Sequence, residues 1–282
     1  MNLDPRGIAA AALGRDPGPL TKAASRSNQV YLGTDIVVKL NDRHTRLSRE
    51  IALTPYLPAG ITAPLLASGQ QDGVNYACYT RLPGSPPRMD DIDAKTARTL
   101  AVQAIDTLER LHDWTPPAEA LPTLRADFDH GGFTSKDALQ LEIDRLKDVP
   151  QHLVDGLKAI AGNAPERAKT TVPVHADCFW DNWLSNGETV TALLDFEWAR
   201  FGEPMDDWFF LIRFSGRHEA DVLDLVAEAT ATHKDVLRTE CEAREAYFVA
   251  YDLNHEPDLT AERLSGLEEL IVGRHWWRSS KA

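Results

Sequence analysis

Apolar and polar residues alternate with the period of a half-buried strand in Asn28-Gln29-Val30-Tyr31-Leu32 and again in Asp35-Ile36-Val37-Val38-Lys39-Leu40. Gly33-Thr34 lies between them, so the two segments predict a β-hairpin. Leu47, Ile51 and Thr54 then recur at helical spacing across residues 43–57. Pro55 and Pro58 should end that helix, because proline has no N–H to donate and clashes with the preceding turn. Residues 62–67 and 74–79 return to strand character on either side of the turn-rich Ser68-Gly69-Gln70-Gln71-Asp72-Gly73. The first part of the chain therefore predicts a small sheet with one helix.

Arg81-Leu82-Pro83-Gly84-Ser85-Pro86-Pro87 is the densest proline and glycine cluster, and it separates strand-rich from helix-rich sequence. Beyond it, Ala97, Leu100, Ala101, Ala104, Ile105, Leu108 and Leu111 form a helical apolar stripe closed by Thr115-Pro116-Pro117. Amphipathic runs follow near 136–147, 151–161, 218–232, 236–251 and 260–276. These patterns predict an α+β protein of two lobes: residues 1–84, a small antiparallel sheet with one helix, and residues 85–282, larger and mostly helical.

At 282 residues and 43% hydrophobic content the chain can bury a substantial core. No apolar run approaches membrane-spanning length, and the N-terminus lacks the basic-then-apolar pattern of an export signal, so no membrane partner is expected. Cys78, Cys178 and Cys241 are far apart and form no CxxC pair, which fits a reducing cytoplasm. Lys and Arg number 30 against 43 Asp and Glu, a net charge of −13 that argues against nucleic acid and is mildly favourable to cationic ligands.

The chemistry concentrates between His175 and Asp207. A short apolar strand runs into His175-Ala176-Asp177, with Asn182 five residues after the aspartate. A second apolar strand, Val190-Thr191-Ala192-Leu193-Leu194, ends in Asp195-Phe196-Glu197. Phosphoryl transfer asks for an acid near the attacking hydroxyl, oxygen ligands for magnesium and a cation on the phosphates. Asp177 suits the first role, and Asn182 with Asp195 the second. Lys39, on the opposite strand face from Ile36 and Val38, suits the third. Glu50 is the one acidic residue between 43 and 57 and is the natural partner for its ammonium group.

His175-Ala176-Asp177 with Asn182, then Leu194-Asp195-Phe196-Glu197, then Gly202-Glu203-Pro204-Met205-Asp206-Asp207 resembles the aminoglycoside-phosphotransferase and choline-kinase branch of the protein-kinase-like fold. The resemblance implies that Asp177 is the catalytic aspartate, that Asn182 and Asp195 hold Mg2+, and that Asp207 braces the catalytic loop. It makes residues 1–84 the nucleotide-binding lobe and 85–282 the catalytic and acceptor-binding lobe. It also implies a Ser/Asn-rich nucleotide loop, here Ser25-Arg26-Ser27-Asn28, since neither GxGxxG nor GxxxxGK[ST] occurs. Ser27 and Asn28 are its candidate phosphate contacts, and backbone groups from Tyr79 to Leu82 are candidates for holding adenine. His175 is expected to have a structural role. Ala176 departs from the glycine usual in this family.

Trp180, in the aromatic stretch Cys178-Phe179-Trp180 with Trp183, either anchors the loop or stacks on a substrate ring. Glu197 and Glu203 are candidate acceptor contacts, because the acidic segment from Asp195 to Trp208 would attract a cation if it faced the acceptor. The expected function is ATP-dependent phosphorylation, with GTP left open, of a hydroxyl on an aminoglycoside or other basic antibiotic, and hence antibiotic resistance. A choline, homoserine or amino-sugar kinase is the alternative, and a silent nucleotide-binding protein on the same fold is the alternative of another class. The absence of an Ala-Pro-Glu segment after Asp195 disfavours a protein kinase. Monomer and homodimer are both compatible with the sequence.

Overall fold

The computed structural model describes residues 4–25, 28–41, 46–126, 132–169 and 171–278. The chain groups into two compact units, Met1–Ala126 with Asp177–Arg200, and Asp127–Ala176 with Phe201–Ala282.

The first unit is built on a five-stranded antiparallel sheet in the order β1-β2-β3-β5-β4. Its strands are β1 (Thr21–Lys22), β2 (Gln29–Leu32), β3 (Ile36–Asn41), β4 (Leu65–Gln71) and β5 (Val74–Thr80). The hairpin forms as its alternation predicts, with Val30 opposite Lys39 and Leu32 opposite Val37. Helix α1 (Pro5–Leu13) covers one face, packing Ile8 and Ala9 against Ile36, Val38, Leu40 and Cys78. Helix α2 (Arg46–Leu53) covers the other, where Leu47 meets Ala77 and Tyr79 and where Val37, Ile51 and Leu65 join the cluster. Period-two alternation therefore places Lys39 on the α2 face.

One expectation needs correction here. Residues 68–71, read as turn, continue strand β4, and the chain reverses only at Asp72 and Gly73, both at positive φ. In the first unit α3 (Ala94–His112), α4 (Leu121–Arg125) and the hairpin of β7 (Trp183–Asn186) and β8 (Thr189–Leu193) group with the sheet. Hydrogen bonds explain that grouping. Gln103 of α3 donates to Glu188 O and accepts from Val190 N, while Ser85 and Ser185 exchange both backbone hydrogen bonds at 3.0 Å.

That exchange fixes Gly84. Its φ is +110°, and a Cβ there would lie 2.4 Å from the Ser185 carbonyl oxygen. Gly84→Ala should therefore cost about 1–3 kcal/mol, strain and clash together. Chemical denaturation checks this, and an unchanged midpoint would contradict it.

The second unit is mostly helical: α5 (Lys136–Arg145), α6 (Gln151–Asn163), α7 (Pro204–Arg213), α8 (Glu219–Ala229), α9 (Lys234–His255) and α10 (Thr260–Ile271). Between α6 and α7 in sequence, the short strand β6 (Val172–Val174) pairs with β9 (Arg200–Gly202). Helix α9 is central, touching α5, α6, α7, α8 and α10. Its buried charges are paired: Glu245 accepts from Arg213 and from the Trp276 indole, and Asp252 accepts from Arg263. Trp276 thus closes the end of the helical unit against its core, and residues 275–277 form a 3-10 turn where the periodicity predicted continued helix. Among the described residues, no helix is long and apolar enough to cross a membrane. All three cysteines are buried, and none of them forms a disulfide.

Candidate active site

Lys39 and Glu50 meet as the strand alternation and the helix register require. The Lys39 ammonium lies 2.7 Å from Glu50 Oε2 and 3.2 Å from Asp195 Oδ1, and both Lys39 and Glu50 side chains are almost fully buried. Burial alone would lower the Lys39 pKa, but Glu50 and Asp195 overcome it and hold the group well above its ordinary value. The ammonium therefore stays charged at neutral pH. Burial, reinforced by Asp195, raises the Glu50 carboxyl against the pull of Lys39.

The catalytic-loop candidates come from the turn that follows β6. Ala176 takes a left-handed backbone, φ +63°, which in an alanine costs about 1–2 kcal/mol relative to ordinary geometry. Within the second unit, Asp207 holds that conformation by accepting from His175 N at 3.0 Å and from Ala176 N at 2.7 Å. His175 is fully buried. Asp177 follows directly in sequence. In the first unit Asn182 donates to Asp177 O at 2.7 Å and to Asp177 Oδ2 at 3.3 Å, so the two polar side chains are held together.

Leu194 N donates to Asn182 O at 2.7 Å, which fastens the end of β8, just before Asp195, to the loop. Asp195 also has a left-handed backbone, φ +68°, and begins a 3-10 turn over Phe196–Trp198. Burial, then the nearby Asp195, raise the Asp177 carboxyl well above the usual carboxylate range. The same two causes push Glu197 up to about 7.

Glu50, Asp195 and Glu197 place carboxylate oxygens within 4.8 Å of one another. With the amide of Asn182 beside Asp177, this is a set of hard oxygen donors of the kind Mg2+ takes, so the residues present fit that ion.

Ser27 lies outside the described residues. Asn28 is buried and donates to Glu197 while accepting from Asn41 Nδ2 at 2.6 Å, a polar chain that joins the hairpin to the Asp195 turn. Tyr79 is buried on the α2 face, with Leu82 packed beside it. The next two amides are engaged, Thr80 N with Pro64 O and Arg81 N with Asp35 O, so any adenine contact in this segment shifts toward Leu82.

Trp180 is buried, its ring centroid 6.0 Å from that of Trp183. Arg244 of α9, itself buried, binds Glu203, Asp206 and Glu240, and Asp207 is committed to the backbone of residues 175 and 176.

Asn41, Arg49 and Arg244 were not singled out by sequence. Arg49 donates to Thr123 O and Ala199 O, tying α2 to the end of the Asp195 turn. Its spacing of one residue before Glu50 was the available signal, but spacing alone does not reveal a carbonyl partner.

Folds built like this one are found in solved phosphotransferases. The ADP-bound aminoglycoside phosphotransferase APH(2'')-Ib superposes with a TM-score of 0.68 at 13% identity, over 95% of this chain and 97% of that one. The ternary complex of APH(2'')-IIa with streptomycin and ATP gives 0.66 at 15%, over 94% and 97%. A thermostable mutant of APH(4)-Ia in complex with AMP-PNP and hygromycin B gives 0.65 at 15%, over 96% and 98%. The fold is thus the kinase-like fold of the aminoglycoside phosphotransferases. Residues 20–258 match the profile described as the phosphotransferase enzyme family. The chain belongs to that family and is a phosphotransferase. No curated protein sequence matches it closely enough to count as a relative.

Proposed function

We propose that this phosphotransferase transfers the γ-phosphoryl group of ATP to a hydroxyl of a small molecule, with an aminoglycoside or other basic antibiotic as the first acceptor class to test. The observation that carries the reading is a pair of side-chain sets, Lys39 with Glu50 and Asp195, and Asn182 with Asp177, each joined by contacts of 2.7 to 3.3 Å and linked through the hydrogen bond from Leu194 N to Asn182 O. In this reading Asp177 orients the acceptor hydroxyl and takes its proton. The hydroxyl oxygen bonds to the γ-phosphorus as the bond to the bridging oxygen breaks, and ADP leaves with that electron pair. Lys39, held by Glu50, is directed at the nucleotide phosphates. Asn182 and Asp195 would hold Mg2+, which when bound neutralises charge on the phosphate oxygens. Residues 1–84 carry the nucleotide contacts, Leu82 among them, and 85–282 the catalytic loop and acceptor contacts.

The aminoglycosides bound by the solved neighbours support this acceptor class, and resistance to such a compound would be its consequence. One observation favours the second reading, a choline, homoserine or amino-sugar kinase. The carboxylates expected to draw a polycation, Glu203 and Asp206, are already neutralised by Arg244. A silent nucleotide-binding protein is disfavoured because the charged groups that chemistry needs are assembled and paired.

Mass spectrometry of aminoglycosides, basic peptide antibiotics, choline, homoserine and amino sugars after incubation with Mg-ATP decides between the classes. One phosphoryl group gained by an aminoglycoside supports the first reading. Gain on choline, homoserine or an amino sugar alone replaces it with the second. Tight nucleotide binding without any gain would favour the silent protein.

A further inference from the structure

Among the described residues, three cations meet the turn from Asp195 to Ala199, and two of them are committed. Lys39 is bound by Glu50 and Asp195, and Arg49 donates to the carbonyls of Thr123 and Ala199. The third, Arg46, stands one helical turn before Arg49 and Glu50 on the same face of α2. Its guanidinium carbon lies 3.8 Å from the centroid of the Trp198 ring, the separation of stacked planes. Among the described residues that stack is its contact, with neither a hydrogen bond nor an ion pair, and the side chain is exposed.

A guanidinium held by its face keeps its in-plane N–H donors available, and their fork matches phosphate oxygens. Trp198 thus fixes the group without consuming what it can donate. The location gives those donors a purpose. Glu50, Asp177, Asp195 and Glu197 outnumber Lys39, yet a transferring phosphoryl group brings further negative charge, spread over three oxygens.

We propose that Arg46, stacked on Trp198, is a further catalytic residue that donates hydrogen bonds to the γ-phosphate oxygens as they are transferred. The proposal rests on the ATP-dependent reading above and adds to it a cation supplied by α2.

Titration calorimetry in magnesium buffer with ADP and with AMP-PNP, on the full chain and on Arg46→Ala, Arg46→Lys and Trp198→Leu, tests it without a known acceptor. Arg46→Ala should weaken AMP-PNP binding by about 10- to 100-fold, the effect of a lost hydrogen bond between charged groups. ADP binding should change less than about twofold, because ADP lacks the γ-phosphate. Arg46→Lys should fall between, and Trp198→Leu should weaken AMP-PNP selectively, since it frees the guanidinium from its support. Equal losses for both nucleotides, or none, would overturn the role of Arg46 while leaving the kinase reading in place. An unmodified protein that binds neither nucleotide would overturn the kinase reading itself and this proposal with it.

Discussion

Asp177→Asn should raise the thermal midpoint while lowering kcat by about 10²- to 10⁴-fold, the usual contribution of a positioned general base. Both halves follow from one geometry. Asp177 is largely shielded from water, with Asp195 and Glu197 contributing like charge, so its carboxylate is expensive to keep. An amide has nearly the same shape, can still accept from Asn182 and carries no charge to desolvate. Removing the penalty should stabilise the protein by about 1 kcal/mol, or about 2–4 °C in a chain of this class. The same change removes the acceptor for the hydroxyl proton. Nucleotide affinity should change little, since the phosphates are met from Lys39 and its neighbours. A variant that lost stability together with activity would mean that Asp177 is a structural residue.

Lys39→Met should have the opposite profile. Taking one partner from a buried ion pair leaves the other charge unpaired, which costs about 3–5 kcal/mol. Here two carboxylates, Glu50 and Asp195, lose a neighbour at 2.7 and 3.2 Å. Turnover should fall by about 10²- to 10³-fold, comparable with removing a preorganised charge from a transition state. Adding Glu50→Leu should recover most of the stability, because a well-packed apolar pair often equals a buried ionic one, and should recover none of the activity. Denaturant midpoints and kcat for the two single variants and the double variant separate these effects. Recovery of activity in the double variant would exclude a direct role for Lys39 at the phosphates.

The parts of this site that could be read from sequence are those set by local periodicity. Strand alternation put Lys39 on the opposite face from Ile36 and Val38, and one acidic residue in the following helix identified Glu50. The strand-loop-strand order around Asp177, Asn182 and Asp195 was equally local. What remained hidden depends on tertiary partners. The Asn28 side chain has Asn41 and Glu197 as buried partners, residues distant in the chain that no local pattern reveals. Arg244, on a helix much later in the sequence, pairs with Glu203 and Asp206 of the acidic segment before Trp208, and nothing local advertises those partners. Helix α1 was missed for a different reason: its signals were present, with Asp4 capping, Pro5 at the first position and Gly14 left-handed at the end. Its alanine-rich face offered little contrast in hydrophobicity to support them.

Arg46 belongs with the tertiary cases. On sequence it is one more basic residue in an amphipathic helix, and the face of Trp198 gives its guanidinium a fixed place against the turn that follows Asp195.

The most direct test of the central claim is the stoichiometry of phosphoryl transfer: ADP released from Mg-ATP against phosphorylated acceptor formed, with Asp177→Asn measured alongside. One ADP for each phosphorylated acceptor, with both lost together in the variant, is the expected result. ADP release that matches no acceptor product, or that persists undiminished in Asp177→Asn, would contradict it.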